Sequence, residues 1–146
     1  MGKPRFQALV DLYAAQEDEA RKRVGALEYR RADAQQRVAD NERERAAAGN
    51  EVSIAFREAY AAYWRLIGDR IRQIRAEIVD IDRQIVEARE QLIAVHRQHA
   101  TFTRLRDRDL REQRVRRDRQ AAKALDDHGA RQWREGVGTT GAKEGA

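Results

Sequence analysis

Cysteine is absent from the 146-residue chain, which excludes both a disulfide framework and a thiolate metal site. Proline occurs once, at Pro4, while charged residues make up 38%. That is the profile of long paired helices rather than of a globular domain. No apolar run approaches the roughly 20 residues that span a bilayer, so no direct membrane insertion is expected. Near the start, Phe6-Gln7-Ala8-Leu9-Val10 is interrupted by Asp11, so no secretory signal is read there. Phe6 also stands where a myristoylation pattern wants Ser or Thr. A cytoplasmic protein is expected. The inventory for catalysis is thin: one serine (Ser53), three histidines and no Gly-rich phosphate loop. Neither an enzyme nor a cofactor is expected.

What the chain does have is a long heptad. From Tyr60 to Phe102, alternating steps of four and three land on Tyr60, Trp64, Ile67, Ile71, Ile74, Ile78, Ile81, Ile85, Ala88, Leu92, Val95, His99 and Phe102. All but His99 are apolar or aromatic, and the opposite face is mostly charged. Apolar residues every 3.5 positions stay on one face of a supercoiling helix, which must then find a partner helix. A weaker heptad of the same period precedes it, with Phe6, Tyr13, Ala20, Leu27 and Ala34 in one set. Val10, Val24 and Val38 form the companion set, and Glu17 and Arg31 fill its gaps.

Pro4 suits the first position of a helix, and Ala46-Ala47-Ala48-Gly49-Asn50 is the only plausible turn between the heptads. The spacing therefore predicts an all-α fold, an antiparallel coiled-coil hairpin over residues 1–135. Helix one runs from about 4 to 46, the turn from about 47 to 50, and a longer helix two from about 51 to 125. Asp126-Asp127-His128-Gly129 is expected to end helix two, with residues 136–146 a flexible, disordered Gly-rich tail. The expected core contains Val24, Leu27, Trp64, Ile71, Ile74, Ile78, Ile81 and Ile85. A short turn sets Val10 by Ala88, Val24 by Ile74, Leu27 by Ile71 and Ala34 by Trp64. In that register helix one runs out near Leu92, leaving Val95 and Phe102 on an overhang without a partner in the chain. A second stripe, Val79, Val86 and Ile93, reads as a widened hydrophobic face or as a docking strip for a partner helix.

The net charge of +5 is uneven. Residues 103–120 carry 8 arginines against 4 acids, whereas residues 121–146 carry 4 basic and 4 acidic groups. Eight arginines could neutralise phosphates. The interleaved acids, and the lack of an aromatic between Phe102 and Trp133 to stack on bases, argue instead for an acidic protein surface. No nucleic-acid partner is expected. His96 and His99, three apart, could place two imidazoles on one metal, but no carboxylate or thiol is expected to be fixed on that side to complete the site. The reading there is a polar seam histidine and no metal.

Several of these features together resemble the flagellar export protein FliJ and its injectisome counterparts. They are the opening Phe6-x-x-Leu9-Val10-x-Leu12 with the acidic run Glu17-Asp18-Glu19, the stretch Tyr60-x-x-Tyr63-Trp64-x-x-Ile67-x-x-x-Ile71, and the basic helix from Leu105 to Gln120. The sequence differs in having Tyr63 where that family more often has Phe, and in a short inter-helix segment. The resemblance implies a central stalk that inserts into a hexameric export ATPase, stimulates it and links it to a membrane export-gate protein. Export chaperones are further partners in some members, and peripheral association with the inner membrane through the apparatus is implied. By position, Tyr63 and Ile67 match the gate-contacting pair. Heptad geometry agrees for Tyr63, at a flanking position, and opposes Ile67, which faces the seam. The part bearing Phe6, Leu9, Phe102, Leu105, Arg108, Arg111 and Arg116 would enter the ATPase ring. The other readings are a coiled-coil spacer or scaffold without an ATPase partner and, third, a basic-helix nucleic-acid binder. The sequence does not separate a flagellar from an injectisome system.

Overall fold

The computed structural model describes residues 4–49 and 56–144, with side chains described as far as residue 137. Among them are two helices, α1 (Gln7–Gly49) and α2 (Arg57–Glu144), and no strand. The chain divides into two compact units, Asp11–His99 and a second composed of Met1–Val10 with Ala100–Ala146.

Within Asp11–His99 the helices are antiparallel. Glu28 pairs with Arg89, Arg31 with Asp82, Arg37 with Glu77 and Glu42 with Arg75, at N···O distances of 2.9, 2.5, 2.9 and 2.8 Å. These charges flank a seam in which Leu27, Ala34, Ile74, Ile81, Ile85 and Ala88 are buried together, with Val24, Val38 and Ile78 packed against them. Ile67 and Ile71 are buried as well. Each fully buried Leu or Ile contributes about 1.5–3 kcal/mol, whereas an exposed ion pair contributes about 0–1 kcal/mol. The seam therefore supplies the stability, and the flanking charges select the register.

That register is not the one the short turn predicts. Trp64 meets Arg45 instead of Ala34, and Asp82 meets Arg31, a displacement of about two heptads. The cause lies at the connection. Helix α1 does not stop at Ala47 but continues through Gly49, and the helical part of α2 begins at Arg57. The predicted turn residues 47–49 are thus helical, and Asn50 lies outside the described residues, as do residues 51–55, the predicted start of helix two. Gly49 has no positive φ. A Cβ there would stand 2.7 Å from the Tyr60 hydroxyl, so the glycine allows a close approach rather than ending a helix. Trp64, expected in the core, lies outside it: the side chain is 44% exposed, because its layer falls opposite Arg45 and not opposite a small residue.

In the second unit the chain turns before it becomes helical. The Gln7 N–H donates to the Pro4 carbonyl at 3.1 Å, and Phe6 carries a φ of 71°. Pro4 therefore precedes α1, and the predicted start at residue 4 moves to Gln7. Phe6 packs on Phe102, ring centroids 6.4 Å apart, and Gln7 Oε1 accepts from Arg106 at 3.3 Å. The predicted overhang is corrected accordingly. Phe102 has an aromatic partner in its own chain, and pairing to the N-terminal segment reaches Arg106, well past Leu92. In the other unit Val95 borders a groove with Leu12, Ala15 and Gln16 of α1, so it is not partnerless either. Along α2 every residue from Arg114 to Val137 is exposed. The helix passes the predicted end near Leu125 and continues to Glu144. Of the Gly-rich tail, residues 136–144 carry helical backbone, and 145–146 lie outside the described residues.

Candidate interaction surfaces

Three groups of side chains carry what chemistry the chain has. The first belongs to the unit of residues 1–10 and 100–146. A turn whose third residue has positive φ normally takes Gly or Asn; here it takes Phe6. The strain, of order 1–3 kcal/mol for such a residue, is opposed by the ring's contact with Phe102 and by the Arg5 guanidinium 5.2 Å above its centroid. Phe6, Leu105 and Arg108 line one shallow pocket of about 170 Å³ together with Arg5, Asp109 and Glu112. Leu9 is 36% exposed. Arg108, Arg111 and Arg116 line a neighbouring groove with Val115 and Arg119. Four of the residues nominated from sequence, Phe6, Phe102, Leu105 and Arg108, are thus brought together, with Arg111 and Arg116 continuing the basic face.

Two of the interleaved acids each pair with one arginine, and a third is held by an amide. Glu112 is taken by Arg108 at 3.2 Å, Asp107 by Arg106 at 3.1 Å, and Asp109 by the amide of Gln113 at 3.1 Å. Arg111 donates to the backbone carbonyl of Asp107 at 3.4 Å. Neither it nor Arg116 forms an ion pair among the described residues. The basic character remains on the outside.

The second group surrounds Tyr63, half-buried, whose hydroxyl donates to Glu44 Oε1 at 2.6 Å. That bond, with burial adding to it, holds the phenol above its ordinary pKa. Ile67, one turn along, is fully buried at 0% exposure. Close by, the Arg45 guanidinium sits over the Trp64 ring, and its Nη2 is 3.2 Å from where a Cβ on Gly68 would be. Any Cβ at residue 68 would press on that guanidinium.

The third group was missed by sequence reading. Glu17 is the one buried charged residue among those described, 4% exposed. Its Oε1 lies 2.9 Å from Nδ1 of His96 and its Oε2 2.7 Å from Nδ1 of His99. Arg21 Nη2 adds a contact to Oε1 at 2.6 Å. A carboxylate is therefore fixed beside the histidine pair, contrary to the expectation. It arrives because of the displaced register, which turns a gap in the weaker heptad into the partner of His99 in the stronger one. Among the described residues no group of three or more His, Cys, Asp or Glu has an arrangement that could hold a metal ion. The stripe Val79, Val86 and Ile93 is 51, 55 and 51% exposed and so does not widen the hairpin's own buried face.

Two long helices paired antiparallel along a heptad seam make the chain a coiled-coil hairpin protein. Comparison with known families names which kind. The family model described as flagellar FliJ protein matches residues 2–138, nearly the whole chain, and the protein belongs to that family, a component related to flagellar protein export. No curated protein and no solved structure matches the chain. Among the described residues no helix is long and apolar enough to cross a membrane.

Proposed function

We propose that the protein is the central stalk of a flagellar or type III export apparatus. In this reading the unit of residues 1–10 and 100–146 inserts into the hexameric export ATPase and stimulates it. The Tyr63 surface couples the ATPase to the membrane export-gate protein, and export chaperones are further partners. The protein then sits at the inner membrane peripherally, through the apparatus. The observation that carries this reading is the Phe6–Phe102 contact with Leu105 beside it and a basic face around it. An apolar tip seats in a ring, and a basic collar meets acidic loops. Exposed Arg108, Arg111 and Arg116 act collectively, since one exposed pair is worth only about 0–1 kcal/mol.

The test is phosphate release by the cognate hexamer with and without the full chain. Stimulation is expected, stronger at low salt than at high salt because exposed charges are screened. Replacing Arg108, Arg111 and Arg116 together by Glu should abolish it while helicity is retained. A flat response to the parent chain leaves only the scaffold. At the gate-facing surface, Tyr63→Ala should weaken binding to the gate protein with little change in melting. Ile67, being buried, supports that surface from beneath, so Ile67→Ala should lower the melting temperature as well.

A further inference from the structure

The hairpin's own seam leaves one apolar row on α2 uncovered. Val79, Val86 and Ile93 recur every seven residues, each about half exposed, and all three lie within the unit Asp11–His99. An apolar row in heptad spacing stays on one face of a helix and fits a second helix laid along it. Between them, at alternating steps of four and three, stand the exposed Arg83 and Glu90. From Val79 to Ile93 the face therefore runs apolar, basic, apolar, acidic, apolar, with Val86 at its centre.

That order complements itself in one direction only. Reversed and laid on itself, it sets Val79 against Ile93, Val86 against Val86, and Arg83 against Glu90 on both sides of the centre. Laid on itself in the same direction, it sets Arg83 on Arg83 and Glu90 on Glu90, where like charges repel. A two-fold contact between identical chains needs the first property, since each residue meets a partner that meets it in return. We propose that this face docks a second copy of the chain, with the two α2 helices antiparallel across a two-fold axis at Val86.

The charges the contact needs are available. Asp82 and Arg89, on the flank toward α1, are held within the chain by Arg31 and Glu28. Glu90 has no ion pair among the described residues, and Arg83 has a contact of only 4.0 Å with Asp80. Beside Val86 runs a groove of about 450 Å³ with Ala32 on its α1 side, and that short side chain leaves room for an approaching helix. Three apolar layers extend over about 21 Å of helix. A contact of that length falls at the small end of specific interfaces, below about 1,200 Å². The dimer therefore forms and dissociates with concentration, and its formation leaves the hairpin's buried seam intact.

Sedimentation velocity on the full chain over a concentration series tests this, with a reversible monomer–dimer equilibrium expected. Val86→Glu brings two carboxylates together at the axis and should leave the chain monomeric. Helicity and melting temperature should not change, because Val86 lies outside the hairpin's buried seam. Arg83→Glu and Glu90→Arg should each weaken association by about tenfold, since each reverses two pairs at once. Combining the two should restore it. Cysteines report the direction without background, because the chain has none of its own. Val86→Cys should give a disulfide-linked dimer on mild oxidation. Val79→Cys should not, its counterpart across the axis being about 21 Å away. A chain that stays monomeric throughout the series overturns the proposal, as does a dimer indifferent to Val86→Glu. Linkage through Val79→Cys as readily as through Val86→Cys, or a double exchange that fails to restore association, overturns the antiparallel contact. A chain monomeric alone whose Val86→Glu variant loses binding to another protein would make the face a docking strip for that protein instead.

Discussion

The guanidinium of Arg45 lies over the indole of Trp64, its central carbon 3.1 Å from the ring centroid. Arg45 is at a seam-facing position of α1, where the buried pattern of the hairpin gives way to polar residues, and Trp64 covers its charged plane. The Arg45 Nε is buried and makes no hydrogen bond, so the aromatic face is the main compensation for that desolvated group. A cation–π pair of this kind is worth about 0.5–1 kcal/mol when exposed and about 2 kcal/mol when desolvated. A double-mutant cycle of Arg45→Ala and Trp64→Ala, read by thermal melting, should give a coupling within that range. Purely additive effects would mean the two groups do not stack in solution.

The observed register makes a sharp prediction because it excludes the simpler one. Arg31 and Asp82 are bonded across the helices at 2.5 Å, so cysteines at these two positions should be joined within one chain by a short bismaleimide. Cysteines at Val24 and Ile74, neighbours under the short-turn register, should react far more slowly. Preferential linkage of the second pair would restore the shorter connection. Linkage only between chains would point to a parallel dimer instead of the hairpin.

Which parts of this were legible beforehand follows from what a heptad encodes. The stripe from Ile67 to Ala88 names its own buried residues, because apolar periodicity is a local property of one helix. Register is not local. It depends on where the chain reverses, and Gly49 imitated a helix end while serving the Tyr60 hydroxyl instead. The cross-helix contacts read from that turn inherited the error, including the supposed isolation of Phe102 and the missing carboxylate for His96 and His99, while the antiparallel pairing itself did not. A signal for the true register was present in the charges. Aligning Glu28, Arg31, Arg37 and Glu42 with Arg89, Asp82, Glu77 and Arg75 satisfies four opposite-sign pairs at once. Phe6 could not have been foreseen, since nothing in a sequence announces a bulky residue at positive φ.

The helical glycines separate into two kinds that alanine scanning should resolve. Gly25 has nothing within 4 Å of the place an alanine methyl would occupy, and its φ is ordinary. Gly25→Ala should therefore stabilise the protein by about 1 kcal/mol through helix propensity alone. Gly49→Ala adds the same propensity but places its methyl against Tyr60, 2.7 Å from the hydroxyl oxygen. Tyr60 must swing aside, and the gain should shrink or vanish. Equal stabilisation by the two substitutions, measured in one urea titration series, would show that Tyr60 does not approach Gly49.

Phe6 offers a way to separate strain from binding. Its φ of 71° is a conformation glycine adopts freely and a bulky side chain does not. Phe6→Ala removes the ring from Phe102 and keeps the backbone penalty; Phe6→Gly removes the ring and releases the penalty, at some cost in unfolded-state entropy. The glycine variant should therefore be the more stable of the two, by about 1 kcal/mol. If the ring is held in that strained position to meet the export ATPase, stimulation should fall to a similar low level in both variants despite their different melting temperatures. Phosphate release and melting measured side by side distinguish the outcomes. Activity that tracks melting from variant to variant would make Phe6 a structural clamp on Phe102 and not a contact with the ring.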